Sequence, residues 1–224
     1  SNVFSDHYVV HNGPFKGMRY VEKANCSTLL PKIFGSYEEP IQQWVIEVIE
    51  SGIYKSIIDI GCAEGYYACG FAMKMPHVKV VAYDTDAVAR KNALELRDLN
   101  GLTNIQIKGE CSHSELNESC KEGTLVFCDI EGFEEILLDK TKVPNLIHAD
   151  IILESHDWIV PNISEEIIRR FSDTHSISIV VDYPHRLNGY NISKSTPKDF
   201  DYIIDEQRPK GMKFLYMKSF ERRL

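Results

Sequence analysis

The chain has 224 residues, 43% of them hydrophobic and 26% charged, with a formal net charge of −8. That length fits one α/β domain with a full core and is short for two domains joined by a linker. The acidic balance, without a long basic run, excludes a protein that lives mainly on nucleic-acid phosphates, since such affinity draws on clustered Lys and Arg. No apolar run reaches membrane-spanning length and no basic-then-apolar leader is visible, so a cytoplasmic protein without a membrane partner is expected. The six cysteines, Cys26, Cys62, Cys69, Cys111, Cys120 and Cys128, lack C-x-x-C spacing. They read as reduced, buried thiols and not as a zinc site.

Residues 1–39 read as an N-terminal arm with a short strand near Tyr8–Val10, broken by Gly13-Pro14, Gly17 and Pro31. Such an arm can cover a ligand, make a homodimer contact or simply pack over the sheet. Residues 40–224 read as the main domain. Ile41, Trp44, Val45, Val48 and Ile49 recur at helical spacing up to Ser51-Gly52. Just upstream, Tyr37 and Glu38 are placed to approach a ligand, although Glu38 and Glu39 also suit the first turn of a helix.

Ser56–Ala72 reads as a buried parallel strand, a glycine turn and a helix start. Gly61 permits a sharp turn, Gly65 opens the helix, and the helix N–H groups face whatever lies over the turn. The spacing Gly61-Cys62-Ala63-Glu64-Gly65 is not G-x-G-x-x-G, and Glu64 sets a carboxylate where a pyrophosphate would lie. A cofactor without phosphates and with a cationic centre fits better than a dinucleotide. A helix spans Tyr66–Lys74, and the strand 78–83 ends in Asp84-Thr85-Asp86. Asp84 is placed to accept from ribose hydroxyls, with helix capping as its alternative, a job Asp86 can take.

A helix over 87–99 and a short strand over 104–108 follow. Glu110 or the backbone at Cys111 then faces a ligand at that strand end or is plain surface. The strand 123–128 leads into Asp129-Ile130-Glu131-Gly132-Phe133-Glu134-Glu135 and a helix to Leu138. A strand at 151–153 ends in Glu154-Ser155-His156-Asp157. The rest is a helix at 164–171, a strand at 177–181, a polar loop at 183–200 long enough for an acceptor lid, and a strand at 213–218.

DIGCAEG (59–65), AYDTD (82–86), Asn100-Gly101-Leu102, DIEGFEEILL (129–138) and ILESHD (152–157) resemble, in order, the FkbM-type branch of class I S-adenosylmethionine-dependent methyltransferases. The resemblance covers roughly residues 50–160. It implies a doubly wound, Rossmann-like, mostly parallel seven-stranded α/β sheet in the order 3-2-1-4-5-7-6, and methyl transfer from S-adenosylmethionine to a hydroxyl of a sugar or other small molecule. The cofactor set is then Tyr37, Asp59, Gly61, Cys62, Ala63, Glu64, Gly65, Tyr66, Asp84, Thr85, Glu110, Cys111 and Asp129.

A hydroxyl is a poor nucleophile near neutral pH, so His156 is the first choice as general base, with Glu131 and Glu154 as runners-up. A second reading makes Asp129, Glu131, Glu154 and His156 ligands for Mg²⁺ or a similar hard cation. A third leaves Glu131 and Glu134 as helix N-terminal acids and His156 as a capped surface residue. The competing functional class is a methyltransferase-like binding module without catalysis.

Overall fold

The computed structural model describes residues 8–22, 24, 27–183, 205–206 and 208–221. From residue 184 the expected acceptor lid lies outside the described residues. Strands β1 (Tyr8–Val9) and β2 (Arg19–Tyr20) form an antiparallel hairpin apart from the main sheet. Helix α1 (Leu29–Phe34) follows, and α2 (Gln42–Ser51) opens behind a tight 3₁₀ turn at Glu39–Ile41.

The main sheet then forms from β3 (Ser56–Ile60), β4 (Lys79–Tyr83), β5 (Ile105–Lys108), β6 (Thr124–Cys128), β7 (Ala149–Ser155), β8 (His175–Val181) and β9 (Lys213–Ser219). Between them run α3 (Tyr66–Lys74), α4 (Ala87–Leu99), α5 (His113–Ser119), α6 (Glu134–Leu137) and α7 (Ile163–Phe171). The strand order is β5-β4-β3-β6-β7-β9-β8. Counted from β3, this is the expected 3-2-1-4-5-7-6. Only β9 runs antiparallel to its neighbours, β7 and β8.

Side-chain alternation along the strands divides the core into two layers. Ile57, Val80, Leu125, Phe127 and Ile152 pack on one face against α2, α3 and the arm. Ile58, Ile60, Val126, Cys128 and Leu153 pack on the other, against Leu116, Ile163, Ile167 and Phe171. Helix α3 is buried on every side from Tyr66 to Ala72. Its apolar sequence all round demands two coverings, the sheet and the arm. Phe15 of the arm supplies the second, meeting Tyr66, Tyr67 and Phe71 edge-on at 5.2–5.7 Å. Gly70 makes room for it: a Cβ there would lie 2.5 Å from the Phe15 ring.

Two helices escape the periodicity reading. Helix α5 carries a complete capping box between Ser112 and Glu115, which is visible as S-x-x-E in the sequence. Helix α1 has six residues and contains Pro31, too short for a period to emerge. Among the described residues no helix is long and apolar enough to cross a membrane.

After β3 the chain steps outward to β4 and β5, then returns to lay β6 on the other side of β3. The carboxyl ends of β3 and β6 therefore flank a switch point, where open α/β sheets leave a crevice. Gly61 sits there with φ +83°, and a Cβ on it would lie 1.7 Å from the Asp129 carbonyl oxygen. Gly61→Ala is expected to lose at least about 3 kcal/mol of stability, because both the left-handed backbone and the overlap must be relieved. Denaturant unfolding checks this; a loss below about 1 kcal/mol would show that the turn and β6 can separate cheaply.

Candidate functional site

A cavity of about 730 Å³ opens over the carboxyl ends of β3, β4, β5 and β6. The turn after β3 contributes Gly61 and Ala63, and the end of β4 contributes Asp84, Thr85 and Asp86. The loop after β5 contributes Glu110, Cys111, Ser112 and His113, and the segment after β6 contributes Asp129, Ile130, Glu131, Phe133, Ile136 and Leu137. Ser27, Lys32 and Tyr37 close it from the arm side. Of the expected cofactor residues, Tyr37, Gly61, Ala63, Asp84, Thr85, Glu110, Cys111 and Asp129 thus share one wall.

Asp84 is held by backbone donors. Its Oδ2 accepts from the Ala63 N–H at 2.8 Å and its Oδ1 from the Asp86 N–H at 2.8 Å. Asp86 is the N-cap of α4, accepting from the Val88 N–H, so the capping role falls to Asp86. Two non-glycine residues of the wall have left-handed backbones, Ala63 (φ +47°) and Glu131 (φ +54°). Such strain, of order 1–3 kcal/mol each, concentrates at functional sites.

Five expected cofactor residues stand off the wall. Asp59 lies beneath the turn, 2% exposed, and accepts from the Ala68 N–H. Cys62 turns inward, its thiol pushed up by burial, while its backbone N–H is spent on the Tyr83 carbonyl. Gly65 is the left-handed N-cap of α3, tight against Ala93 and Cys69. Tyr66 is packed among Phe15, Tyr20 and Tyr37.

Glu64 departs furthest from expectation. It is fully buried, accepts from the Tyr20 hydroxyl at 2.6 Å, and pairs with the Lys32 ammonium. Both partners come from the arm, and such pairing makes a buried carboxylate tolerable there. Lys32 is itself 2% exposed, stacks on Tyr37 at 4.6 Å, and donates to Ser27 Oγ at 2.7 Å. It was not singled out in the sequence because it lies in a segment without periodicity.

The expected catalytic residues meet at the ends of β6 and β7, but His156 and Glu154 sit behind the wall and only Glu131 reaches it. His156 is 2% exposed. Its Nδ1 lies 2.7 Å from Glu134 Oε1, an oxygen that also accepts from the Ile130 and Gly132 N–H groups. An acceptor so used requires Nδ1 to carry the proton. Nε2 then faces Asp129 Oδ1 at 3.4 Å, Glu131 Oε2 at 3.5 Å and Glu154 Oε1 at 3.8 Å. Burial alone would lower the imidazole pKa, but the Glu134 hydrogen bond and the surrounding carboxylates raise it above the ordinary value. The reading of His156 as a capped surface residue is therefore wrong, whereas Glu134 is a first-turn acid of α6 as expected and in addition anchors the imidazole.

Burial pushes Glu154 up to about 7 even though Arg208 opposes it. Burial, with Glu154 and Glu38 close by, raises Asp129 as well. Arg208 binds Glu154 Oε1 and Glu38 Oε1 at 2.5 Å each and Glu206 Oε2 at 2.7 Å, over the Tyr37 ring. Nothing in the sequence marked Arg208, which lies in an irregular stretch before β9.

The chain has the Rossmann-like fold of class I S-adenosylmethionine-dependent methyltransferases. A scan against family models and a search of curated proteins both found no match. Solved structures do match. A candidate methyltransferase from Escherichia coli, yhhF, superposes with a TM-score of 0.57 at 12% identity, covering 95% of this chain and 98% of its own. An S-adenosylmethionine-dependent O-methyltransferase from Thermotoga maritima gives 0.51 at 15% identity, covering 81% and 66%. A candidate O-methyltransferase from Klebsiella pneumoniae gives 0.53 at 12% identity, covering 83% and 81%.

Burial and the neighbouring Asp84 push the Asp59 pKa up to about 8 from an ordinary value of 3.8. Between these values only the unfolded chain ionises, so this group makes stability fall as pH rises from about 4 to about 8. Asp59→Asn keeps an acceptor for the Ala68 N–H and removes that dependence. Its stability relative to the parent is expected to improve steadily from pH 5 to pH 8, by on the order of 4 kcal/mol. Unfolding curves at three pH values measure it, and a pH-independent difference would mean that Asp59 is ionised in the fold.

Proposed function

We propose that the protein is an S-adenosylmethionine-dependent methyltransferase of the FkbM type that methylates a hydroxyl of a sugar or another small molecule. The observation that carries this reading is the convergence on one cavity of the glycine turn, Asp84 at the end of β4 and the acids at the end of β6. Asp84, already oriented by two backbone donors, accepts from the ribose hydroxyls. Thr85, Glu110 and Cys111 border the adenine, with Phe133, Ile136 and Leu137 as its apolar wall.

The amino-acid end of the cofactor then lies toward Lys32. An ammonium has three donors, and Glu64 and Ser27 take two, leaving one for a carboxylate in the cavity. The fit is electrostatic as well: a sulfonium is attracted to the acids beyond the turn, whereas a pyrophosphate would be repelled.

Transfer is an in-line displacement, so the enzyme aligns donor and acceptor and removes one proton. We assign the proton acceptor to Glu131, whose carboxylate is 61% exposed at the cavity side. His156 stands behind it as a positioning residue. Its buried, Glu134-anchored ring keeps the neighbouring carboxylates apart from one another.

Calorimetric titration with S-adenosylmethionine and S-adenosylhomocysteine tests the reading. Micromolar binding is expected, and a folded protein that binds neither would refute it. Asp84→Ala is expected to weaken the cofactor about 100-fold, the scale of two charge-assisted hydrogen bonds. The double variant Lys32→Met/Glu64→Gln leaves no unpaired buried charge. It should lose about tenfold or more for S-adenosylmethionine but little for the decarboxylated analogue; equal losses would remove Lys32 from the carboxylate role.

A further inference from the structure

We infer that Asp129, Glu154 and His156 form a binding site for one divalent first-row cation, with Glu134 as the residue that orients the imidazole. Asp129 Oδ1, a Glu154 oxygen and His156 Nε2 come from two adjacent parallel strand ends, and their ligand atoms all lie within 4.8 Å of one another.

The distances are the first argument. His156 Nε2 is 3.4 Å from Asp129 Oδ1 and 3.8 Å from Glu154 Oε1. Hydrogen bonds between such atoms run to about 3.2 Å. Donors bound to one metal at about 2.1 Å stand about 3.0 Å apart at octahedral angles and about 3.4 Å apart at tetrahedral ones, and a little further in a set that has yet to close on the ion. The spacing is that of a chelating set.

Unmet bonding capacity is the second and independent argument. His156 is 2% exposed and its Nδ1 is spent on Glu134, so Nε2 is the ring atom left to face the three carboxylates, where a bound cation takes the place of its proton. Glu154 is 5% exposed, and its Oε2 has no hydrogen-bond partner; neither has Asp129 Oδ1. Arg208 engages only Oε1 of Glu154. An imidazole whose far nitrogen donates to a carboxylate is the usual arrangement of a metal-binding histidine, because it fixes the ring and strengthens the ligand.

Local charge is the third. Glu38, Asp129, Glu131, Glu134, Glu154 and Glu206 crowd this end of the cavity, and Arg208 is the only Lys or Arg among the described residues that pairs with them. Two carboxylates and one imidazole suit Mn²⁺, which takes oxygen donors readily and accepts nitrogen. Use of the cation to hold the acceptor oxygen rests on the methyl-transfer reading, with Glu131 kept as proton acceptor; binding of the cation does not.

The test is titration of the metal-stripped full chain with Mn²⁺, read by the loss of the free-ion paramagnetic resonance signal, without cofactor. One Mn²⁺ per chain is expected. Affinity should fall tenfold or more in each of Asp129→Asn, Glu154→Gln and His156→Gln, and at least tenfold in Glu134→Gln. Asp129 is the least buried of the three ligands, so its variant is the one expected to stay folded if the other substitutions do not, and circular dichroism records which do. Absence of saturable binding, or binding unchanged in Asp129→Asn, overturns the site. S-adenosylmethionine titration of the same samples is read separately, so failure of the cation site and failure of the methyltransferase reading give different results.

Discussion

The contact between Gly61 and the Asp129 carbonyl is the constraint on which the site depends. β3 and β6 pair in parallel up to Ile60 and Cys128, and one residue further each chain must leave the sheet. With no Cβ between them, the two exits lie against each other, so the turn that opens α3 and the acids that follow β6 form one wall. A side chain there would drive the exits apart and widen the crevice at its base. The glycine is required by the neighbouring strand, and any approach of ligand to the turn follows from that.

Charge burial organises the rest. The fold places Glu64 and Glu38 in its interior and neutralises each with a cation from a distant segment, Lys32 from α1 and Arg208 from the approach to β9. Removing either partner would leave an uncompensated buried charge, at a cost of about 3–5 kcal/mol. These pairs fasten the arm and the C-terminal segment over the sheet ends. Tyr20 and Tyr67 add hydroxyl donors to the same two carboxylates. The arm therefore forms part of the cavity in addition to covering α3.

His156 shows how one environment alters a role. Placed on a surface it would be an ordinary base near its usual pKa. Buried between Glu134 and three other carboxylates, it is fixed in tautomer and orientation and screened from the cavity, and it is suited to holding other groups in place. Glu131, with a strained backbone and an exposed carboxylate, is the member of the cluster that faces outward.

Apart from α5, the order of strands and helices from β3 to α7 was legible in residue patterns, because buried parallel strands and amphipathic helices carry their periods locally. The glycine turn, Asp84 and the DIEG segment were legible for the same reason: each lies at a strand end that the pattern marks. Short elements such as α1 carry no period, and ion pairs such as Lys32–Glu64 and Arg208–Glu154 link residues 32 and 54 positions apart, which no local rule connects. Whether a carboxylate faces a ligand or a lysine depends on which distant segment packs over it. For Glu64, Asp59 and His156, packing across the sheet ends supplied that answer, since burial and partner choice arise from long-range contacts that residue type and spacing leave open.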